Sequence, residues 1–333
     1  MHNILLLQTG GTIAMQMKSD RHGMVAADFD INIVERNFPE LREIANITSQ
    51  SLFLEDSSNL NPSHWKIIAE TIKENYETYD GFVILHGTDT MAYTATALSF
   101  ALENLSKPVI LTGSQVPMSN IRTDAIRNVI NAVEMATMPI YDVAICFNER
   151  LYQGNRSTKI SIDDFDAFAT PNASPIAEMG VSINLKKKYE LPSGQFDINP
   201  YFDNSLVLVT LFPGLHPEFL PDSSNPKLRA VIIEAFGSGN FPVRGEHSIL
   251  PYLRHCRDHN VAVVVSSQAV YDAVNLSKYE GGRKALETGV VSAGDMTKEA
   301  CTVKMMYLLA KYSDCSDVLD AFRKNLRGEL TQP

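Results

Sequence analysis

The chain has 333 residues, of which 44% are hydrophobic and 20% charged, a composition typical of a globular protein with one or two domains. Its net charge of −10 would repel nucleic-acid phosphates and anionic membrane surfaces, so we expect neither as a partner. The four cysteines are widely spaced and form no CxxC pair, which predicts reduced thiols rather than disulfides or a metal site.

The first residues carry no targeting signal that we can identify. Met1-His2-Asn3 has no basic region, and the apolar run Ile4–Leu7 is too short for a secretory signal. No stretch approaches the ~18 consecutive apolar residues of a membrane helix. We therefore expect a cytoplasmic protein.

Short apolar runs alternate with segments of helical periodicity in the first half of the chain. The predicted strands are Ile4–Leu7, Gly81–Leu85, Pro108–Leu111 and Val143–Phe147, and the predicted helices are Ser63–Asn75, Thr90–Leu105 and Asp124–Ala136. This alternation predicts an α/β fold with a mostly parallel sheet flanked by helices.

The pattern is interrupted around residues 186–202, where polar residues, proline and glycine follow no period. We therefore predict a larger N-terminal catalytic α/β domain (residues 1–187), a linker (188–204) and a smaller C-terminal α/β domain (205–333). In the last, the predicted elements are strands Leu206–Leu211, Ala230–Ala235 and Val261–Val265 and a helix near Ser248–His259.

Three predicted strands end in clusters of Gly, Ser and Thr. These clusters are Thr9-Gly10-Gly11-Thr12, His86-Gly87-Thr88-Asp89-Thr90 and Thr112-Gly113-Ser114-Gln115. Ligands of open α/β sheets bind outside the carboxyl ends of the strands, so the three loops should converge on one crevice.

Two of the loop segments have both a chemical and a structural interpretation. The Thr12 hydroxyl could be a nucleophile if a base accepts its proton, or it could cap a helix. A phosphate-binding loop is a third option, although neither GxGxxG nor GxxxxGK[ST] is present. The turn Asp56-Ser57-Ser58-Asn59 could hold a carboxylate through its amides and hydroxyls, or be an ordinary turn.

Further polar residues follow the second strand and a later segment. Thr88 and Asp89 offer a hydroxyl and a carboxylate to the crevice, although Asp89 and Thr90 could instead cap the next helix. His86 is either a general base or a structural histidine at the strand end. Lys159 could lose its charge on burial and act as a base, or it could lie on the surface.

Two patterns resemble metal ligands only weakly. Asp163, Asp164 and Asp166 lie close together but lack further ligands. His255 and His259 have a zinc-like spacing but lack the glutamate of HExxH. We therefore expect no metal and no cofactor.

Taken together, these segments resemble the bacterial-type L-asparaginases, and most closely their cytoplasmic type I branch. The matching segments are Thr9–Ala14, Asp56–Ser58, Asp80–Thr94, Pro108–Gln115, Asn155–Lys159, Asp166–Phe168, Gly237–Asn240 and Asn325–Leu330. The TGGTIA and HGTDT motifs at this separation are very specific, and the resemblance extends from the first strand to the last residues.

The resemblance implies an amidohydrolase that converts L-asparagine to L-aspartate and ammonia. Thr12 would attack the side-chain amide and become a β-acyl ester, which water then hydrolyses. Thr88, Asp89 and Lys159 would form a second polar triad, in which Lys159 polarises Thr88 and Asp89 binds the substrate ammonium group.

The resemblance also implies substrate-binding residues and an assembly. Asp56, Ser57 and Ser58 would hold the α-amino and α-carboxylate groups of the substrate. The family's active site lies at a tight dimer interface, close to Asn240 of the partner subunit. We therefore expect a homodimer, or a homotetramer made of two such dimers.

Two departures from the family pattern affect activity and regulation. Met24 stands where relatives carry a loop tyrosine that contacts the nucleophile, so either His22 or the second triad activates the nucleophile, or activity is low. Glu234, Ser267 and Ala269 differ from the residues of the regulatory asparagine pocket in some type I enzymes, so we predict no asparagine allostery.

Other functions stay open on the sequence. One is a broader amidase that accepts glutamine, or the amide-hydrolysing subunit of a tRNA-dependent amidotransferase. That subunit usually has an extra N-terminal domain, whereas TGGT begins here at residue 9. Another is an amino-acid-binding or sensing protein of the same fold, which only Met24 favours.

Overall fold

The structure, a computed structural model, describes residues 1–14, 16–17, 24–25, 31–32, 39 and 41–331. The chain divides into two compact units, Met1–Pro200 and Tyr201–Pro333. This boundary falls within the segment 188–204. Residues 197–198 of that segment form a strand of the first unit.

Fourteen strands of the first unit lie within the described residues. They are β1 (His2–Gly10), β2 (Gln16–Met17), β3 (Met24–Val25), β4 (Ala45–Glu55), β5 (Gly81–Leu85), β6 (Leu102–Glu103), β7 (Val109–Thr112), β8 (Val143–Phe147), β9 (Arg150–Gln153), β10 (Thr158–Lys159), β11 (Phe168–Ala169), β12 (Ala177–Met179), β13 (Ile183–Leu185) and β14 (Asp197–Ile198). The large sheet has the order β13-β12-β9-β8-β7-β5-β1-β4. From β4 to β8 all neighbours are parallel, whereas β9, β12 and β13 are added antiparallel.

Helices alternate with these strands along the chain. The described part of the first unit includes the helices Leu41–Ile44, Pro62–Asn75, Met91–Ala101 and Ala125–Met135, and 3-10 turns at Thr12–Ala14, Ser57–Asn59 and Gly154–Arg156. The helix Met91–Ala101 ends at Ala101 rather than at the predicted Leu105, because the next two residues pair with β14 instead. The predicted mostly parallel α/β fold is confirmed.

The centre of the sheet is buried because its strands are apolar along their whole length. Ile4, Leu5, Leu6 and Leu7 of β1 are at most 1% exposed. A strand covered on both faces needs such a continuous run rather than alternation. Each fully buried aliphatic side chain contributes about 1.5–3 kcal/mol to folding, which makes this strand a main source of stability.

The second unit is a smaller parallel α/β unit. Its strands are β15 (Leu206–Thr210), β16 (Ala230–Ala235), β17 (Ala262–Ser267) and β18 (Val291–Ser292), hydrogen-bonded in that order and all parallel. Its helices are Leu250–Asp258, Glu280–Leu286, Lys298–Lys311 and Cys315–Phe322, with a 3-10 turn at Pro217–Phe219. Among the residues described in either unit, no helix has the length and apolarity needed to cross a membrane.

Candidate active site

The carboxyl ends of three central strands lie side by side at one edge of the large sheet. In the parallel register, Gln8 of β1 pairs with Leu85 of β5, and Leu85 pairs with Thr112 of β7. The three polar loops therefore leave the sheet at the same level and converge there. The Thr9 hydroxyl joins two of them by donating to the Leu85 carbonyl over 2.8 Å.

Glycines allow these loops to pack backbone against backbone. Gly11 has φ +91°, and a Cβ added to it would lie 2.4 Å from the Gly87 nitrogen. A Cβ on Gly87 would lie 2.7 Å from the Ser57 hydroxyl. No larger residue fits these contacts without moving a loop, which explains the glycines of both motifs.

A cavity of about 340 Å³ lies where the loops meet. It is lined by Gly11, Thr12, Asp56, Ser57, Gly87, Thr88, Asp89, Gln115, Lys159 and Ile162. The structure thus brings six of the residues selected from the sequence around one space. The volume lies in the range of small-molecule sites, ~300–1,000 Å³.

Lys159 connects the hydroxyl and the carboxylate of the second loop. Its Nζ donates to Thr88 Oγ1 over 2.8 Å and to Asp89 Oδ1 over 2.7 Å. The lysine side chain is 16% exposed, whereas that of Asp89 is 66% exposed. The carboxylate of Asp89 therefore keeps a face open to a second cation, while the lysine is oriented towards Thr88.

The turn after β4 carries an ionised carboxylate. Asp56 Oδ1 accepts from the Ser58 hydroxyl over 2.6 Å and from its backbone N–H over 2.8 Å. These hydrogen bonds hold the pKa of Asp56 below its ordinary value. Ser58 is therefore beside the cavity through Asp56, although it is not among the residues that line it.

Thr12 and Thr90 are not simple helix caps. Thr12 lies inside the 3-10 turn Thr12–Ala14 and lines the cavity while half-buried. Thr90 precedes the helix Met91–Ala101 but makes no side-chain capping bond, and its hydroxyl donates instead to the Ser57 carbonyl over 2.7 Å. This bond ties the β5 loop to the turn after β4.

His86 is a structural histidine. Its Nδ1 lies 2.7 Å from the Gly87 carbonyl, which can only accept, so Nδ1 carries the proton. Its Nε2 then accepts from the Thr94 hydroxyl over 2.8 Å, and Thr94 accepts from the Trp65 indole. Complete burial lowers the pKa of His86 to about 4, so the ring is neutral near pH 7. Both ring nitrogens are used in these hydrogen bonds, and His86 is not among the residues that line the cavity.

His86 should make the protein less stable in mild acid. The unfolded histidine binds a proton below pH 6.5, whereas the buried one does so only near pH 4. Its contribution is therefore complete above pH 6.5 and decreases as the pH falls towards 4, by about 3 kcal/mol in total. Between pH 7.5 and 5, urea denaturation should show wild type losing about 2 kcal/mol more than His86→Asn. An identical loss in the two proteins would contradict this.

The weak metal patterns have other partners. Arg150 donates to both oxygens of Asp166, at 3.0 and 2.9 Å, and the Asp166 backbone donates to Asp164. His255 lies 2.5 Å from the Ser223 hydroxyl. Within the described part of the chain, no three His, Cys, Asp or Glu side chains are grouped so as to hold a metal ion.

Asn240, Met24 and His22, also selected from the sequence, are not among the described residues that line the cavity. Asn240 belongs to the second unit, where it forms an antiparallel bridge with Phe236. Met24 forms part of β3 opposite Met17, but its side chain lies outside the described residues. His22 lies outside them altogether.

The second unit has a cavity of its own, of about 320 Å³, between the helices Leu250–Asp258 and Cys315–Phe322. Its two arginines, Arg257 and Arg323, are paired with Asp258 and Asp320. Its described lining includes the hydroxyls of Thr288 and Ser316 but no lysine, whereas the cavity of the first unit combines threonine hydroxyls and carboxylates with Lys159.

Gln115 and Asp124 are site residues that the sequence interpretation did not select. Gln115 lines the cavity, and its backbone nitrogen donates to both oxygens of the Asp124 carboxylate at 3.1 Å. Gln115 was visible as the last residue of the third polar loop. Asp124 had no comparable signal, since an aspartate before a helix usually caps it.

An α/β fold with hydroxyls, a lysine and carboxylates at its strand ends has the groups of a hydrolase that uses a hydroxyl nucleophile. Two family descriptions match this chain: "Asparaginase, N-terminal" over residues 3–191 and "Glutaminase/Asparaginase C-terminal domain" over residues 206–322. The chain belongs to the asparaginase family.

Individual relatives are similar over nearly the whole chain. L-asparaginase 1 of Escherichia coli K12 is 39% identical over 335 residues, covering 99% of this chain and 98% of that protein. The crystal structure of L-asparaginase I from Vibrio cholerae has 40% identity and a TM-score of 0.90, covering 99% of both chains. The L-asparaginase structure from Thermococcus kodakarensis has 33% identity and a TM-score of 0.91, covering 99% of this chain and 100% of that one.

Proposed function

We propose that this chain is an L-asparaginase, which hydrolyses the side-chain amide of L-asparagine to L-aspartate and ammonia. The observation that carries the proposal is the cavity that joins Thr12 and Thr88 with Lys159. Full-length similarity to L-asparaginases supports the substrate. The enzyme needs no metal or cofactor for this reaction, since the nucleophile and proton carriers come from its own side chains.

The reaction proceeds through two acyl transfers at Thr12. The Thr12 oxygen attacks the amide carbon and gives up its proton, the carbon–nitrogen bond breaks, and ammonia leaves with the added proton. Water then attacks the resulting ester and restores the hydroxyl. Backbone amides near Thr12 and Thr88 stabilise the oxyanion, an effect of about 3–4 kcal/mol for one donor.

The ammonium group and the carboxylate of the substrate bind to different residues around the cavity. The ionised Asp56 and the exposed face of Asp89 bind the α-ammonium group, and the turn that contains Ser57 and Ser58 binds the α-carboxylate. Lys159, held to Asp89, polarises Thr88, which positions the nucleophile or the water. Thr12 and Thr88 both line the cavity, which supports a position of the substrate's side-chain amide between them.

Assembly and location follow from the family rather than from this chain's geometry. We propose a homodimer, or a tetramer of two dimers, in which Asn240 of the partner subunit completes the substrate site. We also propose that the protein acts in the cytoplasm and has no nucleic-acid or membrane partner. Sedimentation at micromolar concentration would measure the assembly, and a monomer with full activity would contradict it.

Ammonia release tests the function directly. We expect the protein to release one ammonia and one aspartate per L-asparagine consumed. L-Glutamine, measured in parallel, distinguishes an asparaginase from a broader amidase, and turnover of glutamine at an equal kcat/KM would favour the latter. Calorimetric binding of asparagine without ammonia release would instead identify an amino-acid-binding protein.

A Met24→Tyr variant should release ammonia faster than wild type if a tyrosine at this loop position activates Thr12, as in relatives.

A further inference from the structure

Gln115 is held in a fixed position at the wall of the cavity. Besides the Gln115 N–H, the Asp124 carboxylate accepts from the Val116 N–H over 3.1 Å and from Asn128 Nδ2 over 2.9 Å. Asn128 Nδ2 also donates to the Gly113 carbonyl over 2.9 Å. Asp124 is 4% exposed and Asn128 is 1% exposed. The loop that carries Gln115 is therefore anchored from beneath by a buried polar network.

The surroundings of the Gln115 side chain determine which way its amide faces. One end lies 3.1 Å from the Asp164 carbonyl and 3.4 Å from the Ser161 carbonyl. Carbonyl oxygens only accept hydrogen bonds, so this end must be the NH₂ group. The opposite end, Oε1, therefore faces Thr88 Oγ1 at 3.3 Å.

This orientation sets the direction of the Thr88 hydroxyl. Because Oε1 only accepts, Thr88 must direct its single proton towards Gln115. Lys159 donates to the same oxygen over 2.8 Å and occupies one lone pair. One lone pair remains on an oxygen that lines the cavity. At 3.3 Å the contact to Gln115 is long, as catalytic hydrogen bonds often are before substrate binds.

We propose that Gln115 is a positioning residue that holds the Thr88 hydroxyl as a hydrogen-bond acceptor towards the cavity. In this state the remaining lone pair of Thr88 accepts a hydrogen bond from the Thr12 hydroxyl or from the attacking water and so orients it, while Thr88 keeps its own proton. Without Gln115, the proton of Thr88 turns towards Asp89 or into the cavity, and the lone pair is lost to the reaction. This inference rests on the proposed amide hydrolysis.

The same amide also couples Thr88 to the rim of the cavity. The segment Ser161–Asp164, which it contacts, carries Ile162 at the cavity with 89% of its surface exposed. Ser161 Oγ accepts from the backbone of Asp163 and Asp164, which closes the segment into a compact turn. A single side chain thus connects the turn that borders the cavity to the Thr88 hydroxyl.

Two substitutions separate the orienting role from simple packing. Gln115→Met keeps the length of the side chain but removes acceptor and donor. We expect kcat to fall about 10- to 100-fold with KM within about threefold, because a misdirected group slows chemistry while the ammonium and carboxylate contacts persist. Gln50→Met, on the exposed part of β4, is the matched control and should behave as wild type.

Gln115→Glu provides a pH signature that packing alone would not produce. The carboxylate accepts from Thr88 but repels the Ser161 and Asp164 carbonyls, whereas the protonated acid regains a donor. We therefore expect kcat of this variant, relative to wild type, to rise as the pH falls from 7 towards 5, and the kcat ratio of Gln115→Met to stay constant. Thermal melting of each variant establishes that it is folded.

The outcomes distinguish this inference from the proposed function. A kcat of Gln115→Met within twofold of wild type, or a pH profile of Gln115→Glu parallel to wild type, would overturn the role of Gln115. Neither result bears on the nucleophile, which Thr12→Ala tests in the same assay. Full turnover by Thr12→Ala would overturn the proposed mechanism instead. If Gln115→Met does not fold, the pH profile of Gln115→Glu decides.

Discussion

Replacement of Thr12 by alanine is expected to lower kcat for asparagine hydrolysis on the order of 10⁴-fold or more, because no other hydroxyl takes over the attack. Thr12 lies half-buried at the cavity, so the same change should alter the free energy of unfolding by less than about 1 kcal/mol. The residual rate would come from oxyanion stabilisation and substrate positioning. Steady-state ammonia release and urea denaturation measure the two effects.

Controls on the same loop show whether the loss is chemical. Thr12→Ser keeps the hydroxyl and should retain at least about one hundredth of kcat, whereas Thr12→Val keeps the shape and should be as slow as alanine. Thr9→Val removes a buried hydroxyl that bonds the Leu85 carbonyl, which should cost about 1 kcal/mol of stability with little change in kcat. More than a tenth of wild-type kcat in Thr12→Ala would contradict the nucleophile assignment.

The second large effect is on the stability of the second unit. Lys304→Met is expected to lower the free energy of unfolding of this unit by about 3–5 kcal/mol, because a buried carboxylate loses its counter-ion. Lys304 and Glu329 are both 0% exposed, with 2.5 Å between Nζ and Oε1. Glu329 also accepts hydrogen bonds from the backbone N–H groups of Leu326 and Arg327. The Asn325–Leu330 motif therefore has a structural role, since it holds the buried carboxylate in place.

Hydrogen exchange of the amides in helix Lys298–Lys311 measures this effect without interference from the first unit. Lys311→Met, at the exposed end of the same helix, is the matched control and should cost less than about 1 kcal/mol. Lys304→Met combined with Glu329→Gln should recover at least half of the loss, since no unpaired charge stays buried. A cost below about 1 kcal/mol for Lys304→Met would contradict the account.

Central strands were predictable from the sequence, whereas edge strands were not. β5, β8 and β16 are buried on both faces, so their apolar runs mark them from end to end. β4 is eleven residues long but mostly exposed or half-buried, as an edge strand can be. Its many polar residues interrupt the apolar pattern by which a strand is recognised in the sequence. β9 and β12 are short strands whose pairing depends on the sheet that is already present.

The candidate site was predictable where the residues of a single loop indicate its conformation. The glycines next to Thr12 and Thr88 pointed to tight turns at strand ends, and the loops do meet there. Lys159 was ambiguous because it reaches Thr88 from 71 residues away, through the pairing of β10 with β11. The orientation of Gln115 depends on carbonyls of Ser161 and Asp164, which no local pattern encodes.

The central claim, that Thr12 forms the covalent intermediate, is tested most directly by trapping it. Wild-type protein is mixed with L-asparagine, quenched in acid within milliseconds and digested, and the acylated peptide is located by mass spectrometry. We expect a β-aspartyl ester on Thr12, a burst of ammonia ahead of aspartate, and neither in Thr12→Ala. An ester on Thr88 or elsewhere, or ammonia and aspartate released together at every time point with no adduct, would contradict the account.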